Sequence, residues 1–209
     1  GAVTVTQGKL EGLSLTSVDF ETGDSDHITI PHSATYKPTA AITVSAWINP
    51  ESRPNWSKIL SVPYSQSGYA DPYTAYSLLQ SYDGTGQPTF AITTSATDAI
   101  ATATTVMTNG TWYHVTGTFD SSNIRIYVNG VLETTTAKSG AINYNSANTI
   151  SVIGSRSTYD NGEYVDGKIR DLRVYDYALS DDQAASLYSG SYNATPVAWW
   201  KLDEDGGTT

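Results

Sequence analysis

Residues 124–133 read Ile124-Arg125-Ile126-Tyr127-Val128-Asn129-Gly130-Val131-Leu132-Glu133. Apolar and polar side chains alternate on both sides of Asn129-Gly130, and a period of two is the pattern of a strand with one buried face. Asn-Gly accepts the positive φ angles of a type I′ turn, whose twist matches the strands it joins. The stretch therefore predicts a β-hairpin. Working outward, residues 27–31, 74–80, 88–93, 112–119 and 149–153 alternate in the same way. Over 42–49, Ile42, Val44, Ala46 and Ile48 oppose Thr43, Ser45, Trp47 and Asn49. Asp83-Gly84, Asn109-Gly110 and Asn161-Gly162 mark further turns. One-sided alternation of this kind belongs to antiparallel sheets with one buried face.

A single helix is expected. In Ser180-Asp181-Asp182-Gln183 the serine can accept from the Gln183 amide while the glutamine reaches back to the serine amide, and the two aspartates suit the positive helix start. Ala184, Ala185, Leu187 and Tyr188 follow, and Gly190 ends the run. The reading is an all-β chain: a two-sheet antiparallel β-sandwich, or jelly roll, with one short C-terminal helix.

The 209 residues suit one domain, 1–209, large enough to bury a core without the cysteines it lacks. A net charge of -10 repels nucleic acids and acidic membrane surfaces. No apolar run approaches the 18 or so residues of a membrane span, so no membrane insertion is expected. Gly1-Ala2-Val3-Thr4 has neither the basic start nor the apolar stretch of a signal peptide, as expected of a mature or trimmed product. Charged residues make up 15% of the chain, and this polar but weakly charged composition suits an extracellular or surface-exposed protein.

Three segments together carry a resemblance. Thr111-Trp112-Tyr113-His114-Val115-Thr116-Gly117-Thr118-Phe119-Asp120, running on to Tyr127-Val128-Asn129-Gly130, resembles the "tWyhva.tfdg…lYvNG" segment of laminin-G-like and pentraxin-like jelly rolls of the concanavalin A-like lectin/glucanase type. Gly167-Lys168-Ile169-Arg170-Asp171-Leu172-Arg173-Val174-Tyr175, with the helix entry at Leu179-Ser180, is similar to their "G.idevriYnraLs" strand. Residues 42–48 are similar to their early core strand. The segments fall in family order, and the resemblance implies two packed sheets. One departure stands out. Residues 196–209, Pro196-Val197-Ala198-Trp199-Trp200-Lys201-Leu202-Asp203 onward, look like the family's opening strand displaced to the C-terminus. Such a strand can fill its own domain, belong to a neighbouring one, or complete the sheet of another subunit.

The carboxylate pair of a glycosidase is missing from the predicted strands: there is no Glu-x-Asp-x-Glu triplet, and the neighbours in Asp203-Glu204-Asp205 point to opposite faces. No cysteine nucleophile, Gly-x-Ser-x-Gly elbow, phosphate loop or His-x-x-x-His spacing is present. A non-enzymatic protein is therefore expected. Its 15 tyrosines and 5 tryptophans offer faces on which sugar rings stack. Tyr64, Tyr69, Asp71 and Tyr73 crowd one loop, and Arg156, Tyr159, Asp160, Glu163 and Tyr164 another. In pentraxin-like relatives the corresponding loops meet and hold calcium and ligand, so the resemblance implies a ligand site there. Calcium is the candidate cofactor, with Asp71 and Asp160 among its oxygens in those loops. The family's acidic run after "IG" is Ser155-Arg156-Ser157-Thr158 here, and Arg156 opposes a cation. A second candidate calcium site combines the Glu21-Thr22-Gly23-Asp24-Ser25-Asp26 turn, through Asp24 and Asp26, with Asp171.

The expectation is thus a non-catalytic carbohydrate-binding or adhesion module, calcium-assisted, whose partner is a glycan or a surface protein. The alternative is a structural repeat or assembly subunit of a filament, surface layer or virion decoration, self-associating through the C-terminal strand. A glycan-active enzyme is the weaker alternative.

Overall fold

The computed structural model describes residues 4–6, 17–31, 33–64, 72–144, 150–156 and 163–203. Among them the strands are β1 (Thr4–Thr6), β2 (Val18–Phe20), β3 (His27–Pro31), β4 (Ile42–Pro50), β5 (Lys58–Pro63), β6 (Thr74–Leu79) and β7 (Thr89–Thr94), then β8 (Thr97–Thr102), β9 (Tyr113–Phe119), β10 (Asn123–Val128), β11 (Val131–Ala137), β12 (Ile150–Ile153), β13 (Gly167–Tyr175) and β14 (Ala198–Trp200). A helix, α1, spans Asp181–Tyr188. The first sheet runs β1-β3-β12-β5-β6-β7-β8 and the second β11-β10-β9-β4-β13-β14, with β2 also on β13. Every pairing is antiparallel. The chain is a two-sheet β-sandwich.

The hairpin that opened the reading forms. Val128 pairs with Val131 across a two-residue turn, and Asn129 (φ 50) and Gly130 (φ 78) both take left-handed backbone, as a type I′ turn requires. The capping box also forms in both arms: Ser180 Oγ accepts from the Gln183 amide at 3.3 Å, and Gln183 Oε1 accepts from the Ser180 amide at 2.9 Å. At Gly130 an added Cβ would stand 3.0 Å from the Ala185 Cα, so the glycine that makes the turn also lets α1 lie on it.

Inward-facing residues meet in one core. Ile42, Val44, Ala46 and Ile48 of β4 are fully buried, and join Leu60, Val62, Tyr76, Leu78, Phe90 and Ile92 of the first sheet in one cluster. Burying such side chains stabilises by roughly 2 kcal/mol each. The sheets approach closely at Gly117 of β9, where an added Cβ would lie 2.2 Å from Phe90 Cγ. The ring of Phe90 occupies the space that a side chain at position 117 would need.

Both faces of β5, β6 and β7 are buried throughout. In β5 this removes the alternation, since Lys58-Ile59-Leu60-Ser61-Val62-Pro63 is shielded on each side. The outer face of the second sheet is covered in part by α1 and the segment leading into it. There Thr43 Oγ1 donates to the Tyr177 carbonyl at 2.8 Å and accepts from the Leu179 amide at 3.0 Å. Beside it His114 packs against Trp47 and Tyr188. Burial, with Arg173 nearby, pushes the His114 imidazole down to about 3, so it is neutral at ordinary pH.

The displaced strand finds its place on this sheet. Leu172, Arg173 and Val174 pair with Trp200, Trp199 and Ala198, while Gly167, Lys168 and Ile169 pair with Phe20, Asp19 and Val18. β14 and β2 therefore share one edge of β13, end to end and in the same direction.

The Gly117–Phe90 approach makes a prediction. Gly117→Ala should destabilise by about 2 kcal/mol through overpacking, and adding Phe90→Leu should recover most of the loss. Denaturant unfolding of the three proteins measures this; a Gly117→Ala variant as stable as the parent would contradict the packing.

Candidate functional site

On the outer face of the first sheet the strand pairs present small side chains. Ser77 of β6 opposes Ala91 of β7, and Ala91 opposes Ile100 of β8. Small residues there leave room, and a cavity of about 550 Å³ lies over them. Around its rim stand Trp56, Tyr73 and Tyr82, and Asp98, Lys58, Arg156 and Glu163 supply its charges.

The rim is built from turns. Trp56, in left-handed backbone (φ 59), precedes β5, and its indole meets the Tyr82 ring edge-on at 4.2 Å between centroids. Two bonds fix the turns that carry these rings: the Gln80 amide donates to the Ser57 carbonyl at 2.9 Å, and the Thr85 hydroxyl donates to the Tyr82 carbonyl at 2.6 Å. Burial, followed by the negative fields of Asp83 and Asp98, raises the pKa of Tyr82, which therefore keeps its phenolic proton as a donor. Trp56 is 36% and Tyr73 39% exposed, so each offers ring surface to solvent while anchored at its base.

Beside the small side chains, the floor carries a little-exposed ionic cluster. Lys58, Arg156 and Glu163 are exposed by only 5%, 5% and 8%. The Lys58 ammonium donates to Glu163 Oε2 at 2.5 Å and to the Trp56 carbonyl at 3.1 Å. Arg156 Nε stands 3.5 Å from the same carboxylate oxygen, and its guanidinium lies 5.0 Å from the Tyr73 ring centroid. One buried carboxylate thus faces two cations and ties β5, the exit of β12 and the entry to β13 together. Paired burial is what makes such charges tolerable away from water.

Of the residues singled out in the sequence, Tyr73, Arg156 and Glu163 come together here. Tyr64 does not line the cavity; its hydroxyl donates to Asn143 Oδ1 at 2.9 Å. Tyr164 stands beside His27, its carbonyl accepting from Thr22 Oγ1 at 3.1 Å. Tyr69, Asp71, Tyr159 and Asp160 lie outside the described residues. Sequence reasoning missed Trp56, Tyr82, Lys58 and Asp98. The usable signal was Pro54-Asn55-Trp56-Ser57, a large aromatic in a turn that no strand alternation explains.

Of the expected cation ligands, the described residues Asp24, Asp26 and Asp171 do not gather around one ion position. Asp26 accepts from the Glu21 amide at 3.1 Å, stabilising its own turn, and Asp24 is exposed in that turn. Asp171, in a bulge of β13, accepts from Arg173 Nε at 2.8 Å and from the Trp199 indole at 2.6 Å. Among the described residues, the carboxylates close enough to share one ion, within 4.8 Å, are Asp19, Glu21 and Glu51. The Lys168 ammonium bonds both Asp19, at 3.0 Å, and Glu51. Burial works against charge on Lys168, but these bonds outweigh it and its pKa is raised. Lys168 thus supplies one positive charge to two of these three carboxylates, and calcium would compete with it for Asp19 and Glu51.

A family model described as the concanavalin A-like lectin/glucanases superfamily, of the laminin G kind, matches residues 22–185, and the chain belongs to this superfamily. Solved structures share the fold. Domain 4 of AbnA, an extracellular GH43 arabinanase of Geobacillus stearothermophilus in complex with arabinotriose, is 20% identical over 90% of this chain and 82% of that one, with a TM-score of 0.64. A heptameric SAP-like pentraxin of Limulus polyphemus is 20% identical over 89% and 80%, with a TM-score of 0.59. Botulinum neurotoxin type C, whose cell entry depends on two ganglioside molecules, is 16% identical over 91% of this chain and 46% of the other, with a TM-score of 0.64. No curated protein matches at the level of sequence.

The ionic floor makes a prediction. Glu163→Gln removes the charge that both cations face and should cost about 3 kcal/mol, whereas Lys58→Gln leaves Glu163 with Arg156 and should cost less. Denaturant unfolding of both variants decides it; equal losses, or a larger loss for Lys58→Gln, would show that Glu163 is not the centre of the cluster.

Proposed function

We propose that the chain is a non-catalytic carbohydrate-binding module of an extracellular or surface protein, and that its glycan sits in the cavity on the outer face of the first sheet. The observation that carries this reading is the rim of Trp56, Tyr73 and Tyr82 around a floor of small side chains. Aromatic faces take the apolar face of a sugar ring, and a Tyr82 phenol and the Asp98 carboxylate offer a donor and an acceptor for hydroxyls.

Charge indicates the ligand. Lys58 and Arg156 contribute two positive charges, and Glu163 and Asp98 two negative ones, so the cavity lining is close to neutral and suits a neutral oligosaccharide. Catalysis is disfavoured on the same ground. A glycosidase needs two carboxylates free to face the scissile bond, while the Glu163 carboxylate is taken up by Lys58 and Arg156. Fold relatives solved with arabinotriose or dependent on gangliosides support a sugar ligand at the level of the fold.

Titration calorimetry with neutral oligosaccharides of arabinan, xylan and β-glucan tests the proposal. One of them should bind, and Trp56→Ala and Tyr73→Ala should each weaken it about tenfold or more, equivalent to the loss of one stacking partner, while Tm moves by only a few degrees. Affinity should be the same in calcium and in chelator, since the carboxylates that could share an ion, Asp19, Glu21 and Glu51, do not line the cavity. Binding that survives both aromatic truncations, or no binding across the panel, would overturn the assignment.

A further inference from the structure

The outer face of the second sheet carries a groove of different character. Trp47, Arg170, Asp171, Arg173, Trp199 and Lys201 line a space of about 460 Å³ there, with Asp203 at its edge. Cross-strand pairing sets Arg170 beside Trp47 and Arg173 beside Trp199. The bulge at Asp171 separates the two arginines along β13.

All three cations of this groove lie against rings, and one of them, Arg173, is also bound by an acid. The Arg170 guanidinium lies 4.4 Å from the Trp112 ring centroid and 5.2 Å from that of Trp47. Arg173 and Lys201 lie 4.6 Å and 5.4 Å from the Trp199 centroid. Arg173 is neutralised by Asp171 through two bonds, of 2.8 and 3.0 Å. The Arg170 guanidinium and the Lys201 ammonium make no side-chain hydrogen bond or ion pair among the described residues, in a chain with 21 acidic residues and 11 basic ones. A guanidinium packed against two indoles and open to solvent keeps its planar fork of donors available, and such a fork matches a carboxylate or sulfate in two-point contact. Trp199, 48% exposed, supplies adjacent ring surface.

We infer that this groove is a second saccharide site, separate from the cavity on the first sheet, and that it takes an acidic sugar. The anion, a uronate carboxylate or a sugar sulfate, pairs with the Arg170 fork and Lys201, and the ring carrying it lies along Trp199. The remainder of the chain is strongly negative, so a polyanion is held at this groove and repelled elsewhere. Two sites of different charge on opposite faces would let one domain grip two chemically distinct strands of a glycan matrix. The inference does not depend on the neutral-sugar site, and either can fail alone.

Titration of the full chain with tetragalacturonate, with a heparin tetrasaccharide and with a neutral tetrasaccharide tests it. At least one acidic probe should bind, weakening as sodium chloride screens the contact. Arg170→Gln and Lys201→Gln should each reduce that affinity about tenfold, one charge-assisted contact apiece. Arg170→Lys, which keeps the charge and loses the fork, should recover part of it with an unchanged Tm, and Trp56→Ala should leave it untouched. The preferred probe reports whether carboxylate or sulfate is the better anion. The inference is overturned if neither acidic probe binds, if Arg170→Gln binds as the parent does, or if Trp56→Ala abolishes acidic binding.

Discussion

Every second residue of these strands is committed to the interior, and that constraint decides what the remaining residues can do. Once Ile42, Val44, Ala46 and Ile48 face Phe90, Ile92, Leu60 and Leu78, the side chains between them have no choice but the outer faces. Their sizes then shape the surface. Ser77 and Ala91 leave a hollow in the first sheet, while Trp47, Arg170 and Trp199 raise a ridged groove on the second. The hollow and the groove are by-products of the core's alternation, written in the half of each strand that the core does not use.

Electrostatics separates the two faces. In the hollow, one carboxylate is buried against two cations, and desolvation makes the arrangement all-or-nothing: removing its single negative charge strands the positive ones away from water. On the groove, cations rest on indole faces in partial contact with solvent, where no such penalty forces them to find acids. The same residue types therefore act as a structural tie in one place and as open donors in the other. A comparable contrast holds for the carboxylates. Asp19 and Glu51 gather around Lys168, and of the acids that looked like cation ligands in the sequence, Asp26 bonds the Glu21 amide of its own turn and Asp171 is occupied by Arg173 and Trp199.

The parts of the fold legible in the sequence were those governed by local rules. The 124–133 hairpin follows from Asn129-Gly130, the helix start from Ser180 and Gln183, and the β4 core face from simple alternation. β5 was not legible, because burial on both faces removes its period. β14 was legible as a strand, but its neighbour was not, since pairing with β13 depends on the edge that β2 leaves open. The candidate site was legible in part. Tyr73, Arg156 and Glu163 were found through loops, whereas Trp56 and Tyr82 meet only because β5, β6 and β7 bring their turns together across the sheet. Distant turns converging on one cavity leave no short-range signature, and neither does a floor defined by the smallness of Ser77 and Ala91.

The most direct test of the account is where a neutral oligosaccharide touches the protein, read from ¹H–¹⁵N chemical-shift changes during titration with arabinotriose or the best-bound oligosaccharide. The account predicts that the largest changes fall on the Trp56 indole and on the amides of Tyr73, Ser77, Tyr82 and Ala91. Changes confined to the opposite face, around Trp47 and Trp199, or absent from these five residues at saturation, would contradict it.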